Sequence, residues 1–452
     1  MADPLRVLLI AEACNPTWTS VPLVGYNLAR ALAGRPDPRV TLVTHVRNRD
    51  DLASSDIGRH AEVVFIDNEF IARPVYKFAR LIRGGDQLGW TIDTALAWPS
   101  YVVFEHLVWH RFARQLQRGD FDLIHRVTPL SPTAVSPLAA KTDVPMIAGP
   151  LNGGLRWPRE FPELVRRERE WLVPLRNLYK LLPYHRSTYR HLAAVITASR
   201  STAAEIPRHF HGLRFHLPEN GVNPERFPIA DRWPEPAGRF RFVTVGRIVP
   251  YKGLGLTLEA IRRSPTLREC ELIVIGDGPD RPTHERFVAE NGLQDCVTFR
   301  GQVSQAELAA EMRRSQAFVF PSLREFGGGV VLEAMACALP CLVVDYGGPG
   351  ELVSDATGIK LPMRPREELI ESLRVAMERL ASDRTECRRM GEAASAEVRR
   401  EHTWAAKAER VAEIYRQVLA VDSANPRRKP GGGLGPSGGG MRRFMGAAPP
   451  PR

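Results

Sequence analysis

No stretch of the 452-residue sequence reaches the 18 or so consecutive apolar residues that span a bilayer. The opening residues also lack the basic segment and longer apolar core of a secretory signal. A cytoplasmic protein is expected, at most peripheral at the inner face of a membrane. The six cysteines (Cys14, Cys270, Cys296, Cys337, Cys341 and Cys387) include no Cys-x-x-Cys pair, and several sit in apolar runs where a thiol acts as a small hydrophobe, which suits a reducing compartment. The 62 Lys and Arg outnumber the 51 Asp and Glu, for a net charge of +11. Six of those cations lie in the acid-free stretch 426–452, so the rest carries only about five in excess. Neither an aromatic-rich basic repeat nor zinc-ligand spacing accompanies that charge, and nucleic acid is not an expected partner. No Gly-x-Gly-x-x-Gly follows the first apolar run, which argues against a nicotinamide dehydrogenase, and no repeat recurs at 20 to 50 residues.

What is present is alternation. Val, Ile and Leu runs at residues 5–11, 40–44, 63–66, 123–125, 146–148 and 194–197 are separated by helix-period segments at 22–33, 102–117 and 163–182, the pattern of a parallel α/β sheet. Residues 223–238 are rich in Pro, Arg and Asp without periodicity and read as a linker. The pattern restarts at 240–245, 272–275, 297–299, 317–320 and 342–344, and two or three helices follow Arg364. The expected organisation is an N-terminal Rossmann-like domain (1–222), the linker (223–238) and a second doubly wound domain (239–402). A helix (403–420) then returns to the first domain, ahead of a disordered Gly/Pro/Arg tail (421–452).

Open α/β sheets bind ligands beyond the C-terminal ends of their strands, and four loops in such positions stand out. Gly246-Arg247-Ile248-Val249-Pro250-Tyr251-Lys252-Gly253 places two cations near a helix start, suited to a diphosphate. Read alone, an Arg and a Lys are better explained as solvated cations. Gly276-Asp277-Gly278-Pro279 is by itself a turn. In the third loop, Glu325-Phe326-Gly327-Gly328-Gly329-Val330 opens a helix that carries Glu333. The amides of Gly328, Gly329 and Val330 would be free donors for phosphate or a sugar. Gly347-Gly348-Pro349-Gly350-Glu351 again presents bare backbone after a strand. The one Asp-x-Asp, Asp120-Phe121-Asp122, precedes a strand instead of following one and is read as structural.

Arg247 and Lys252, the pair Glu325 and Glu333, Gly347-Gly348 before Glu351, and Asn220-Gly221-Val222-Asn223 together resemble, in order and spacing, the family-4 retaining glycosyltransferases of GT-B fold over about residues 5–420. The resemblance implies two Rossmann-like domains facing across a cleft and a nucleoside-diphosphate sugar donor. Arg247 and Lys252 would hold the diphosphate, Glu325 the transferred sugar and Glu333 the ribose, with Gly246 and the amides at Gly328, Gly329, Val330 and Gly348 lining the pocket. Neither metal nor cofactor is implied beyond the UDP-, GDP- or ADP-sugar.

The sequence departs from the family in three places. Thr19-Ser20 stands where Gly-Gly is frequent, with the Ser20 amide as substitute. His125-Arg126-Val127 keeps one of two histidines, and His125 is a candidate sugar or acceptor contact as well as an ordinary structural histidine. The Glu-x-Phe-Gly pattern is shifted to Glu325-Phe326-Gly327. Gly149-Pro150-Leu151-Asn152-Gly153-Gly154 is either a turn or a wall of the cleft. The expected acceptor is a saccharide or lipid-linked saccharide, as in polysaccharide or glycolipid synthesis. The basic residues of 76–83 and around Arg166 are candidates for an anionic membrane surface or a solvated helix face. A nucleotide-sugar epimerase of GT-B fold and a non-catalytic binding scaffold are the alternatives.

Overall fold

The computed structural model describes residues 3–83, 90–167 and 180–424. Its first sheet holds seven parallel strands: β1 (Arg6–Ala11), β2 (Arg39–His45), β3 (Glu62–Ile66), β4 (Leu123–Thr128), β5 (Met146–Leu151), β6 (Ala194–Thr197) and β7 (Leu213–His216), in the order β3-β2-β1-β4-β5-β6-β7. The second holds six: β8 (Arg241–Val245), β9 (Glu271–Ile275), β10 (Val297–Gly301), β11 (Ala317–Phe320), β12 (Cys341–Val344) and β13 (Gly358–Leu361), in the order β10-β9-β8-β11-β12-β13. Parallel neighbours need crossovers, and helices supply them on both faces. The central strands β4, β5, β11 and β12 are therefore buried at every residue, whereas the edge strand β7 alternates. Strand order reverses between β1 and β4 and again between β8 and β11. Those two switch points are where α/β sheets open a ligand crevice.

The chain crosses between domains twice, side by side. Val222 forms an isolated bridge with Thr403, and the last helix, Trp404–Ala424, lays Trp404, Val411, Ile414, Tyr415 and Val418 into the core built on β1 and the helix Val21–Ala33. Residues 223–238 are not a free linker. Phe227 and Trp233 are buried in the second domain, and the Trp233 indole N–H donates to the Gln316 carbonyl at 2.8 Å. The absence of periodicity reflects two aromatic anchors in an irregular strap. A reciprocal strap leaves the first domain after β5, with Phe161 and Leu164 entering the second domain's core and Trp157 packed against it.

Residues 421–424 complete the last helix instead of belonging to a tail, and 425–452 lie outside the described residues. So do residues 168–179 of the helix expected at 163–182, the side chains of Arg166 and, Lys77 apart, those of the basic run 76–83. No helix among the described residues is long and apolar enough to cross a membrane. All six cysteines are free and buried.

Candidate active site

The loops after β8 and β11, on either side of the second switch point, are held together by backbone packed on backbone. Gly253 (φ 76°) starts the helix Leu254–Arg262, and a Cβ there would lie 2.2 Å from the Pro321 carbonyl oxygen. No residue with a side chain fits without moving one loop. This approach brings Lys252, at the end of the short turn Pro250–Lys252, onto Glu325, with its Nζ paired to the carboxylate. The same ammonium lies 5.0 Å from the Phe320 ring centroid. Arg247, earlier in the loop, is exposed and forms no ion pair with any described residue. Gly246 supports the loop, its amide donating to the Ile275 carbonyl at 3.0 Å.

Beside Glu325, the Arg324 guanidinium is stacked between Trp157 (4.4 Å to the centroid) and Phe326 (4.9 Å). The Tyr346 hydroxyl donates to the Arg156 carbonyl at 2.7 Å. The post-β5 strap thus clamps the loops of the second domain. Gly328 (φ 64°) caps the helix Gly329–Ala336, whose first-turn amides, those of Gly329 and Val330 included, have no carbonyl within the helix to bind. Glu333 sits in the second turn, and its side chain makes no hydrogen bond or ion pair with any described residue. Burial pushes its carboxyl up to about 7. The side chain is half-buried, and a ligand hydroxyl would give it the hydrogen bond it lacks.

Two expectations are corrected. The Gly348 amide is not a free donor. It gives its hydrogen to the Glu325 carbonyl at 3.0 Å, and Gly348 lies in the short helix Gly347–Leu352 with its Cα against the Phe326 and Gly327 backbone. Its part is to brace the Glu325 loop. His125 is not a cleft residue with catalytic freedom. It is fully buried in β4. Nε2 lies 2.7 Å from the Gly149 carbonyl and must carry the hydrogen, which leaves Nδ1 to accept the Tyr415 hydroxyl at 2.6 Å. Burial lowers its pKa to about 4, and a neutral ring with both nitrogens engaged clamps the last helix to the first sheet. Ser20 follows β1 at the first switch point, exposed, with φ 64° and ψ −134° and no side-chain cap bond to the helix Val21–Ala33. Asp122 binds the Arg6 amide and guanidinium at the entry of β1.

Sequence reasoning missed Glu219. Its carboxylate is buried where the first domain ends, accepts from Asn152 and from Asn220 Nδ2 (3.2 Å), and lies against the Cα of Gly327, where a Cβ would come within 1.8 Å of Oε1. Burial pushes it up to about 7. Just past the other crossing, Lys407, buried in the last helix, donates to the Pro218 carbonyl at 2.6 Å. The only signal available was position, one residue ahead of the Asn220-Gly221 motif.

Two facing α/β domains, with cations, carboxylates and helix-start amides gathered at the switch point of the second, define a GT-B fold with a candidate ligand crevice. Residues 226–397 match the family model of the glycosyl transferases group 1. It is 33% identical over 179 residues to the alpha-D-kanosaminyltransferase of Streptomyces kanamyceticus, a match covering 38% of this chain and 45% of that protein. Among solved structures it is similar to sucrose-phosphate synthase from Thermosynechococcus elongatus (TM-score 0.59, 19% identity, 92% of this chain and 100% of that one). It also resembles Anabaena HepE in complex with UDP and glucose (TM-score 0.51, 16% identity, 91% and 100%).

Proposed function

We propose that this chain is a retaining glycosyltransferase that moves a hexose from a nucleoside-diphosphate sugar to a hydroxyl of a saccharide or lipid-linked saccharide. The observation that carries the reading is the pairing of opposites at one switch point. Among the described residues Arg247 has no anionic partner, the Glu333 carboxyl has no hydrogen-bond or ion-pair partner, and between them Lys252 is held by Glu325. A diphosphate supplies what Arg247 lacks and competes with Glu325 for Lys252, which leaves the Glu325 carboxylate for the sugar. The ribose diol supplies hydrogens to Glu333. As the bond from anomeric carbon to phosphate breaks, charge grows on the leaving diphosphate, and cations already in place stabilise it more than the bound donor. The departing phosphate takes the acceptor proton, and the two side-chain cations serve where other transferases use a metal. The likeness in fold to HepE, whose structure holds UDP and glucose, supports a nucleotide donor.

The test is thermal stabilisation by UDP, GDP, ADP and their sugars, followed by turnover. A ligand at about 100 times its Kd adds about 2.7 kcal/mol, and Glu333→Ala should lose that shift. Arg247→Ala, Lys252→Ala and Glu325→Ala should each lower turnover by about 10²-fold or more. Near-normal turnover in all three would sink the mechanism. A nucleotide shift without turnover on any acceptor would turn the assignment toward a binding scaffold.

A further inference from the structure

Outside the cleft, the first domain carries a cavity of about 340 Å³ lined by Lys180, His185, Arg186, Glu205, Arg208 and His209. Lys180 and Glu205 face each other at 3.5 Å and offset one another. Arg186 and Arg208 are exposed and form no ion pair with any described residue. The His209 ring is held below the usual imidazole range, by burial first and then by the charges of Arg186 and Arg190, and its Nε2 is buried without a hydrogen-bond partner. Two guanidinium groups without an ion-pair partner among the described residues and an orphaned ring nitrogen around one cavity suit an anion with several acceptor oxygens.

Two further observations narrow the anion. Leu181, 80% exposed, and Tyr184, 41% exposed with its ring edge-on to His106, flank the lining residues Lys180 and His185 in sequence, the combination of apolar and basic side chains that favours an acyl layer under a charged surface. The short helix Arg200–Glu205 also runs from the cleft to the cavity. The amide of its first residue donates to Glu351 of the second domain at 2.9 and 3.0 Å, and its last residue is Glu205. At 1.5 Å per residue the cavity lies about 10 Å from that interdomain contact.

We propose that this cavity seats the phosphate of an anionic lipid headgroup while Leu181 and Tyr184 enter the acyl layer, so that the first domain docks on a membrane at the rim of the cleft. This is independent of the donor reading, and its test reads binding alone. The full chain is sedimented with phosphatidylcholine vesicles containing or lacking phosphatidylglycerol. Binding should require the anionic lipid, fall at least about tenfold in Arg186→Gln/Arg208→Gln and fall several-fold in Leu181→Ser. It should stay within about twofold of wild type in Arg286→Gln/Arg364→Gln, which removes the same charge from exposed positions of the second domain. An unchanged melting temperature in each variant excludes misfolding. Equal losses in the two charge pairs, stabilisation by soluble glycerol phosphate without vesicle binding, or no binding to anionic vesicles would each overturn the proposal.

Discussion

Ser20 occupies a backbone region that glycine enters freely and serine does not, φ 64° with ψ −134°, and its hydroxyl caps nothing. Strain of this kind costs on the order of 1–3 kcal/mol, against about 0.5–1 kcal/mol of extra chain entropy that a glycine loses on folding. Ser20→Gly should therefore raise the melting temperature by about a degree or more, and Ser20→Ala should leave it nearly unchanged. Equal melting temperatures for all three would mean that the loop relaxes. At this scale the sequence was legible where a residue's chemistry is unusual for its place. Arg247, Lys252 and Glu325 stood out because they occur together, in order and spacing, in glycine-bearing loops after strands, where any one of them alone would pass for a solvated side chain. His125 did not separate in the same way. A histidine at a strand end looks alike whether its nitrogens face a ligand or, as here, a Tyr415 hydroxyl 290 positions away.

The glycine run of the β11 loop is shaped by what lies behind it. Gly327 has the Glu219 carboxylate and the Asn220 amide against its Cα, so that a Cβ added there would lie only 1.8 and 2.3 Å from their nearest atoms. Gly327→Ala must displace either the loop or the ends of the Glu219 and Asn220 side chains, and because Glu219 is buried and held by Asn152 the loop is expected to yield and to move the amides of Gly329 and Val330. Nucleotide affinity should fall about tenfold or more, since displacements of about an ångström in a preorganised site carry losses of that size. Gly58→Ala, where a Cβ meets nothing within 4 Å, should leave affinity unchanged. Unaltered affinity in Gly327→Ala would separate this loop from the donor. Long central strands were readable from their Val, Ile and Leu runs. β7 (Leu-Arg-Phe-His) and β13 (Gly-Ile-Lys-Leu) were not, because four residues at or near an edge alternate polar with apolar and offer too short a pattern to distinguish from a loop. The strap at 223–238 escaped for the related reason that Phe227 and Trp233 anchor it without any period.

Across the whole molecule, the two chain crossings bury one acid and one base without joining them in an ion pair. Glu219 is raised from 4.5 to about 7 and Lys407 lowered from 10.5 to about 7, in both cases because burial disfavours the charge, with their mutual attraction opposing it. Between pH 4.5 and 7 the folded state holds a proton on Glu219 that the unfolded chain has released, so stability falls as pH rises through that window. Between pH 7 and 10.5 the unfolded chain holds a proton on Lys407 that the folded state has given up, so stability rises again. Their joint contribution is least near neutrality, where the crossings are loosest. Glu219→Gln keeps an acceptor for Asn152, removes the first limb alone, and carries a pH-independent offset that cancels when one protein is compared at several pH values. From pH 5 to pH 7 the variant should gain on wild type by on the order of 2–3 kcal/mol, read as a melting-temperature difference that widens by several degrees in its favour. A difference that stays constant over that range would mean that Glu219 is already ionised at pH 5 and that Lys407 holds it charged across the crossing.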